Sequence, residues 1–150
     1  MSGEDFFDTT ILVYAFAQDD PRSSVAEGLL NNGGAISVQV LNEFVSVARR
    51  KFRMSWGEVV EALAAVRVLC AAPIAMTVDT HDAALRIAQR YGFHIYDSLI
   101  VASAIEAGCT TLYSEDLQHG QSIGPITIRN PFGGGKARPP LSLQKPAQRK

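Results

Sequence analysis

Apolar residues fall along this chain in short unbroken runs, and between them lie longer stretches whose apolar positions recur at steps of three and four. Phe6-Phe7 begins a short apolar strand that runs into Asp8. The run from Ile11 to Phe16 either continues that strand or forms a short helix, and periodicity alone does not separate the two. The pattern expected is strand, a turn at Asp8-Thr9-Thr10, then helix. Pro21 suits the first turn of the next helix, with Val25, Leu29 and Leu30 inward and Asn31-Asn32-Gly33-Gly34 stopping it. Residues 35–38 read as a short strand. Ser37 or Gln39 then opens a helix with an apolar stripe of Leu41, Phe44, Val45, Ala48 and Phe52. A second helix, capped by Ser55, carries Val59, Val60, Leu63, Val66, Leu69 and Cys70. Residues 73–76 read as a brief strand. Asp79 or Thr80 caps a helix containing Ala84, Leu85, Ile87 and Ala88, which Gly92 ends. The next helix begins around Asp97, with Tyr96 just before it and Asp97 at or near the N-cap, and runs to Gly108. Strands follow at residues 111–114 and 126–128.

Short apolar strands alternating with helices predict βα units, and so an α/β fold. A central, mostly parallel sheet of about four or five strands would be covered by helices on both faces in three α/β/α layers. Sites in such sheets form outside the carboxyl ends of the strands. Asp8 and Asp116 each come directly after a strand, and Asp97 opens a helix that points to the same edge. The pattern ends at Pro131. A domain over residues 1–132 is therefore expected, followed by a disordered basic tail over 133–150. That tail opens with Gly133-Gly134-Gly135 and carries Lys136, Arg138, Lys145, Arg149 and Lys150 without an acid.

Composition narrows this little. A chain of 150 residues, 47% hydrophobic and 19% charged, can bury a real core. A net charge of −1 gives no support to a strongly basic nucleic-acid coat and leaves room for a local basic patch. Arg49, Arg50, Lys51 and Arg53 form such a run next to Glu43, either as a solvated helix face or as a grip on RNA phosphates. Cys70 and Cys109 lie in or beside apolar segments and read as buried free thiols, in keeping with a reducing cytoplasm. The acidic opening Met1-Ser2-Gly3-Glu4-Asp5 is not a signal peptide, and no apolar run approaches the roughly 20 residues of a membrane span.

The candidate chemistry is four carboxylates: Asp8, Glu43, Asp97 and Asp116. Each has an ordinary alternative. Asp8 would form an Asx turn, Asp97 would cap its helix, Glu43 would pair with Arg50 in solvent, and Asp116 competes with its neighbour Glu115. Carboxylates gathered within a few ångströms raise one another's pKa, and a hard divalent cation relieves that repulsion. Mg²⁺ takes oxygen ligands and keeps several waters. His81, His94 and His119 have no zinc-like spacing.

These residues carry a resemblance. Phe7-Asp8-Thr9-Thr10-Ile11-Leu12-Val13-Tyr14-Ala15 resembles the opening of PIN-domain nucleases. Val40-Leu41-Asn42-Glu43-Phe44 resembles the second acidic position of that family. Tyr96-Asp97-Ser98-Leu99-Ile100-Val101-Ala102 and Leu112-Tyr113-Ser114-Glu115-Asp116-Leu117 resemble the third and fourth. The four fragments occur in order between Phe6 and Pro131 and are most similar to the VapC-type toxins of prokaryotic toxin–antitoxin pairs. The resemblance implies a PIN-like three-layer fold and a Mg²⁺- or Mn²⁺-dependent endoribonuclease. It further implies a homodimer with an RNA substrate and a small inhibitory antitoxin. Asp8, Glu43, Asp97 and Asp116 would then be the metal-binding catalytic quartet. Thr10 stands where the family often has Asn, while Thr9 or Ser114 offers a hydroxyl to orient a carboxylate. The alternative is a catalytically silent PIN-like module that binds RNA or protein. A haloacid-dehalogenase-like phosphatase is disfavoured, because its nucleophile loop needs a second Asp where this chain has Thr10.

Overall fold

The computed structural model describes residues 5–133. In order it forms β1 (Asp5–Phe7), α1 (Thr9–Ala15), α2 (Arg22–Asn32), α3 (Val38–Arg50), α4 (Trp56–Leu69) and α5 (Val78–Tyr91). There follow α6 (Ile95–Glu106), β2 (Thr111–Tyr113), β3 (Ser122–Ile123) and β4 (Ile126–Arg129). The sheet order is β1-β2-β4-β3. β1 and β4 both run parallel to β2, and only β3 is antiparallel. This is the mostly parallel α/β/α arrangement that the alternation predicts. The expected tail lies outside the described residues apart from Gly133.

The sheet carries the core. Phe6, Phe7, Leu112, Ile126 and Ile128 are fully enclosed. Leu112 lies on the central strand, so trimming it to Ala would cost about 2–5 kcal/mol. Around the sheet the helices form where caps and apolar faces agree. Ser37 caps α3 by accepting the Val40 N–H at 3.2 Å, and Val40, Phe44 and Ala48 face inward one turn apart. Ser55 and Glu58 close a capping box on α4. Gly92 ends α5 at φ 75°, a left-handed conformation that suits glycine. α6 is buried on all sides from Ser98 to Ala104, and Leu99 and Ala102 pack on Ala84 of α5.

Several expectations are corrected. Residues 35–38 and 73–76 are not strands but single parallel bridges, Ala35 to Phe6 and Ser37 to Ile74. The helix starting at Val38 leaves no room for a strand, yet the bridges still extend the sheet beyond β1. No turn separates Asp8 from Thr10, because α1 begins at Thr9. On α2, Ala26 and Leu30 face inward and Val25 is exposed. The α5 cap is Thr77, whose hydroxyl accepts the Thr80 N–H at 3.1 Å. β3 was not expected, since two residues carry no period. Trp56, on the exposed side of α4, lies under the Arg49 guanidinium at 4.3 Å. Among the described residues no helix is long and apolar enough to cross a membrane.

Candidate active site

β1 and β2 lie side by side with Phe7 opposite Tyr113, so the residues after each strand leave the sheet at one edge. The Asp8 N–H donates to the Tyr113 carbonyl at 3.1 Å, which sets Asp8 level with Ser114. Asp8 caps α1: its Oδ1 accepts the Thr10 N–H at 2.9 Å and also the Thr10 hydroxyl. The Ser114 hydroxyl bonds to the Asp8 carboxylate as well. The same Ser114 oxygen accepts the N–H groups of Asp116 and Leu117 at 3.1 and 3.2 Å. One serine therefore links the first candidate acid to the fourth. The Asp8 carboxyl is almost wholly enclosed, and burial raises its pKa well above the ordinary range. The charge of Asp116 adds to that, the hydrogen bonds from Ser114 and Thr10 oppose it, and the charge of Asp97 adds again.

Asp97 reaches this edge because α6 leads into the start of β2, which puts its first turn where β2 ends. It is not the helix cap, and Tyr96 is inside the helix rather than before it. The cap is His94, whose Nδ1 accepts the Tyr96 N–H at 3.1 Å. Asp97 is thus released from the capping role that was its ordinary alternative. Burial, then the charge of Glu43, pushes its pKa up to about 6, against a smaller opposing effect of His94.

Glu43 projects from α3 and is half-buried. The Thr9 hydroxyl donates to its Oε1 at 3.0 Å, and Gln39 Nε2 donates to its Oε2 at 2.6 Å. The ordinary alternative for Glu43, an ion pair with Arg50, is not formed: Arg50 Nη1 donates instead to Ser46 Oγ at 2.7 Å. Glu115, the rival of Asp116, has both oxygens engaged elsewhere. Tyr14 O–H donates to Oε1 and Arg22 Nη1 to Oε2, each at 2.8 Å.

The four acids therefore form an electrostatic series along one rim. Asp116 acts on Asp8, Asp8 feels Asp97, and Asp97 feels Glu43. Among the described residues no three His, Cys, Asp or Glu side chains stand close enough together to hold a metal ion by themselves. In kind, the donors suit a hard divalent cation: they are all carboxylate oxygens, and two of them have raised pKa values that a nearby cation would lower. Sequence reading missed Gln39 and the Tyr14–Arg22–Glu115 group. Gln39 lies one helical turn before Glu43, a spacing that could have flagged it. Nothing in the sequence joins Arg22 to Glu115, which are 93 positions apart.

A profile of the PIN domain matches residues 6–121, well over half of the chain. No curated protein matches the sequence. Among solved structures, Mycobacterium tuberculosis VapC20, described as a sarcin–ricin loop cleaving toxin, is similar at TM-score 0.61 and 21% identity, covering 73% of this chain and 87% of that one. A toxin–antitoxin complex from Klebsiella pneumoniae is similar at TM-score 0.65 and 20% identity, covering 86% and 98%. VapBC2 from Rickettsia felis, bound to a DNA fragment from its promoter, is similar at TM-score 0.62 and 20% identity, covering 84% and 97%.

Proposed function

Since the chain belongs to the PIN domain family, we propose that it is a divalent-metal-dependent endoribonuclease and the toxin of a type II toxin–antitoxin pair. One observation carries the proposal: the enclosed Asp8 carboxylate, fixed by Thr10 and Ser114 at the carboxyl edge of β1, lies in the field of Asp116 and Asp97. Nothing in a purely structural role requires acids to face one another in a poorly solvated place.

Asp8, Glu43, Asp97 and Asp116 would hold Mg²⁺ or Mn²⁺. A cation of this kind makes water a stronger nucleophile at neutral pH and offsets the charge that gathers on a phosphodiester during displacement. The chain's own groups do the rest. Thr10 and Ser114 set the Asp8 rotamer, while Thr9 and Gln39 hold both oxygens of Glu43 in place. Asp97, with a pKa near 6, loses its proton just below neutral pH and is then ready to bind a cation. The substrate is RNA, the inhibitory partner is a small antitoxin, the active form is a homodimer, and the compartment is the cytoplasm. The solved toxin–antitoxin assemblies of the same fold support the partner. Light scattering of the purified chain, with and without an antitoxin encoded beside it, would test the assembly.

A catalytically silent binding module is the second reading, favoured by the absence of any three gathered ligands among the described residues. Incubation of a structured-RNA pool with Mg²⁺ or Mn²⁺, with Asp8→Asn as control, separates the two. Metal-dependent cleavage that disappears in the variant establishes the nuclease. If cleavage is missing with either metal and calorimetry detects no cation binding, the silent module stands.

A further inference from the structure

Glu115 is a buried carboxylate that the proposed chemistry does not use. Its partner Arg22 is also largely enclosed, with side-chain exposures of 11% for Arg22 and 3% for Glu115. Arg22 is held at three further points. Its Nε and Nη2 donate to the two oxygens of Asp20 at 3.0 and 2.9 Å, and its guanidinium stacks on the Tyr14 ring at 3.9 Å. Tyr14, from α1, donates to the other oxygen of Glu115. The start of α2, the end of α1 and the segment after β2 therefore meet at one carboxylate.

That junction continues into the site. The Glu115 N–H donates to the Thr10 hydroxyl at 3.2 Å, and the same hydroxyl donates to Asp8. An unbroken polar path thus runs Asp20–Arg22–Glu115–Thr10–Asp8, and the residue after Glu115 is Asp116. A buried ion pair is weak evidence for stability, because desolvation offsets most of the attraction. It does fix geometry, because a guanidinium held on several sides has little freedom to move. The geometry at stake is the backbone that carries Asp116 toward Asp8, two groups that repel each other and would otherwise separate.

We propose that Arg22 and Glu115 are positioning residues: their clasp holds the segment after β2 so that Asp116 faces Asp8 at a separation that binds a divalent cation. This role presupposes the cation site proposed above. Neither residue touches substrate or metal, and both act through Thr10 and the Asp116 backbone.

The test is Mn²⁺ titration calorimetry on the full chain, with melting temperature and RNA cleavage measured on the same preparations. Arg22→Gln and Glu115→Gln are the direct variants. A third variant, Tyr14→Phe/Arg22→Met/Glu115→Leu, removes the cluster's central groups together and so protects the fold if the single changes unfold it. Folded variants should bind Mn²⁺ roughly 10-fold or more weakly, the usual effect of losing a group that orders metal ligands. High Mn²⁺ should restore most of kcat, since the four carboxylates remain. Arg22→Lys should fall between wild type and Arg22→Gln, because Lys cannot reproduce the fork. If the folded variants bind Mn²⁺ as tightly as wild type, the clasp is a structural pair only and the inference is overturned. Should wild type itself take up no Mn²⁺, the cation site fails and the clasp's role fails with it, an outcome recognisable from the wild-type titration alone.

Discussion

The Thr9 hydroxyl donates to Glu43 Oε1 at 3.0 Å, joining the first turn of α1 to the second turn of α3 across 34 positions of chain. Together with Gln39 on Oε2, it leaves Glu43 one orientation along the rim that Asp97 shares. Thr9→Ala should therefore act mainly on the site. We expect a stability loss of about 1 kcal/mol for one part-buried hydrogen bond, and a rise of roughly 10-fold in the Mn²⁺ concentration needed for half-maximal cleavage. Thr9→Ser, which keeps the hydroxyl, should behave nearly as wild type. If Ala and Ser variants respond equally, Thr9 matters for packing and not for Glu43.

Asp97 gives a pH dependence with a definite sign. In the folded chain it keeps its proton to about pH 6, whereas an unfolded Asp loses it near pH ~3.9. Between these values the folded state binds more protons than the unfolded state, so this group's contribution to stability falls as pH rises. Asp97→Asn removes that loss. Without metal, the variant's melting temperature should nearly match wild type around pH ~4 and exceed it by roughly 4–10 °C at neutral pH, where about 2–3 kcal/mol is recovered. Stabilisation of wild type by Mn²⁺ should follow the opposite course and appear as pH passes about 6. A variant that melts several degrees lower at every pH would instead make Asp97 a structural residue.

Gly34 is a packing requirement. A Cβ there would meet Phe7 Cε2 at 2.6 Å and Cζ at 2.7 Å, with the Asp5 carbonyl at 3.2 Å. Phe7 is fully enclosed and its ring has nowhere to go. Gly34→Ala should destabilise by about 1–3 kcal/mol, as overpacking does, visible as a lower urea midpoint. Gly28→Ala, where a Cβ meets nothing within 4 Å, should be neutral or slightly stabilising because it replaces a mid-helix glycine.

The domain boundary is open to truncation. Phe132 packs edge-on against Tyr14, with ring centroids 5.3 Å apart, and its N–H donates to Asn130 at 2.9 Å. A chain ending at Gly133 should melt within about 1 °C of the full chain, while one ending at Arg129 should melt several degrees lower through loss of that aromatic contact. A large drop on the first truncation would place the segment after Gly133 in the fold.

Part of the candidate site was legible because three of its four acids stand beside a local signal. Asp8 comes after an apolar run, Asp97 lies in the first turn of a buried helix, Asp116 follows a strand within three residues, and parallel βα topology sends all three toward one edge. Asp8 caps α1 with an Oδ1 that accepts the N–H two residues on, the local bond of the Asx turn given as its ordinary alternative. The cap at α6 was misplaced because His94, a weak capping type, took a position that Asp97 would ordinarily hold.

By itself the sequence determined the alternation of strands and helices, the cap at Ser55, the stop at Gly92 and the order of the four candidate acids, since these depend on residues a few positions apart. Tertiary structure decided what depends on distant partners. It kept Ala35, Ser37 and Ile74 as single bridges, with α3 opening directly after Ser37. It turned Glu43 from Arg50 to Thr9 and Gln39. Between adjacent acids it committed Glu115 to Arg22 and Tyr14, while leaving Asp116 in the field of Asp8. Two neighbouring carboxylates look alike in sequence. Only the burial and the donors that meet each one, brought from 93 and 101 positions away in the case of Glu115, give them different work.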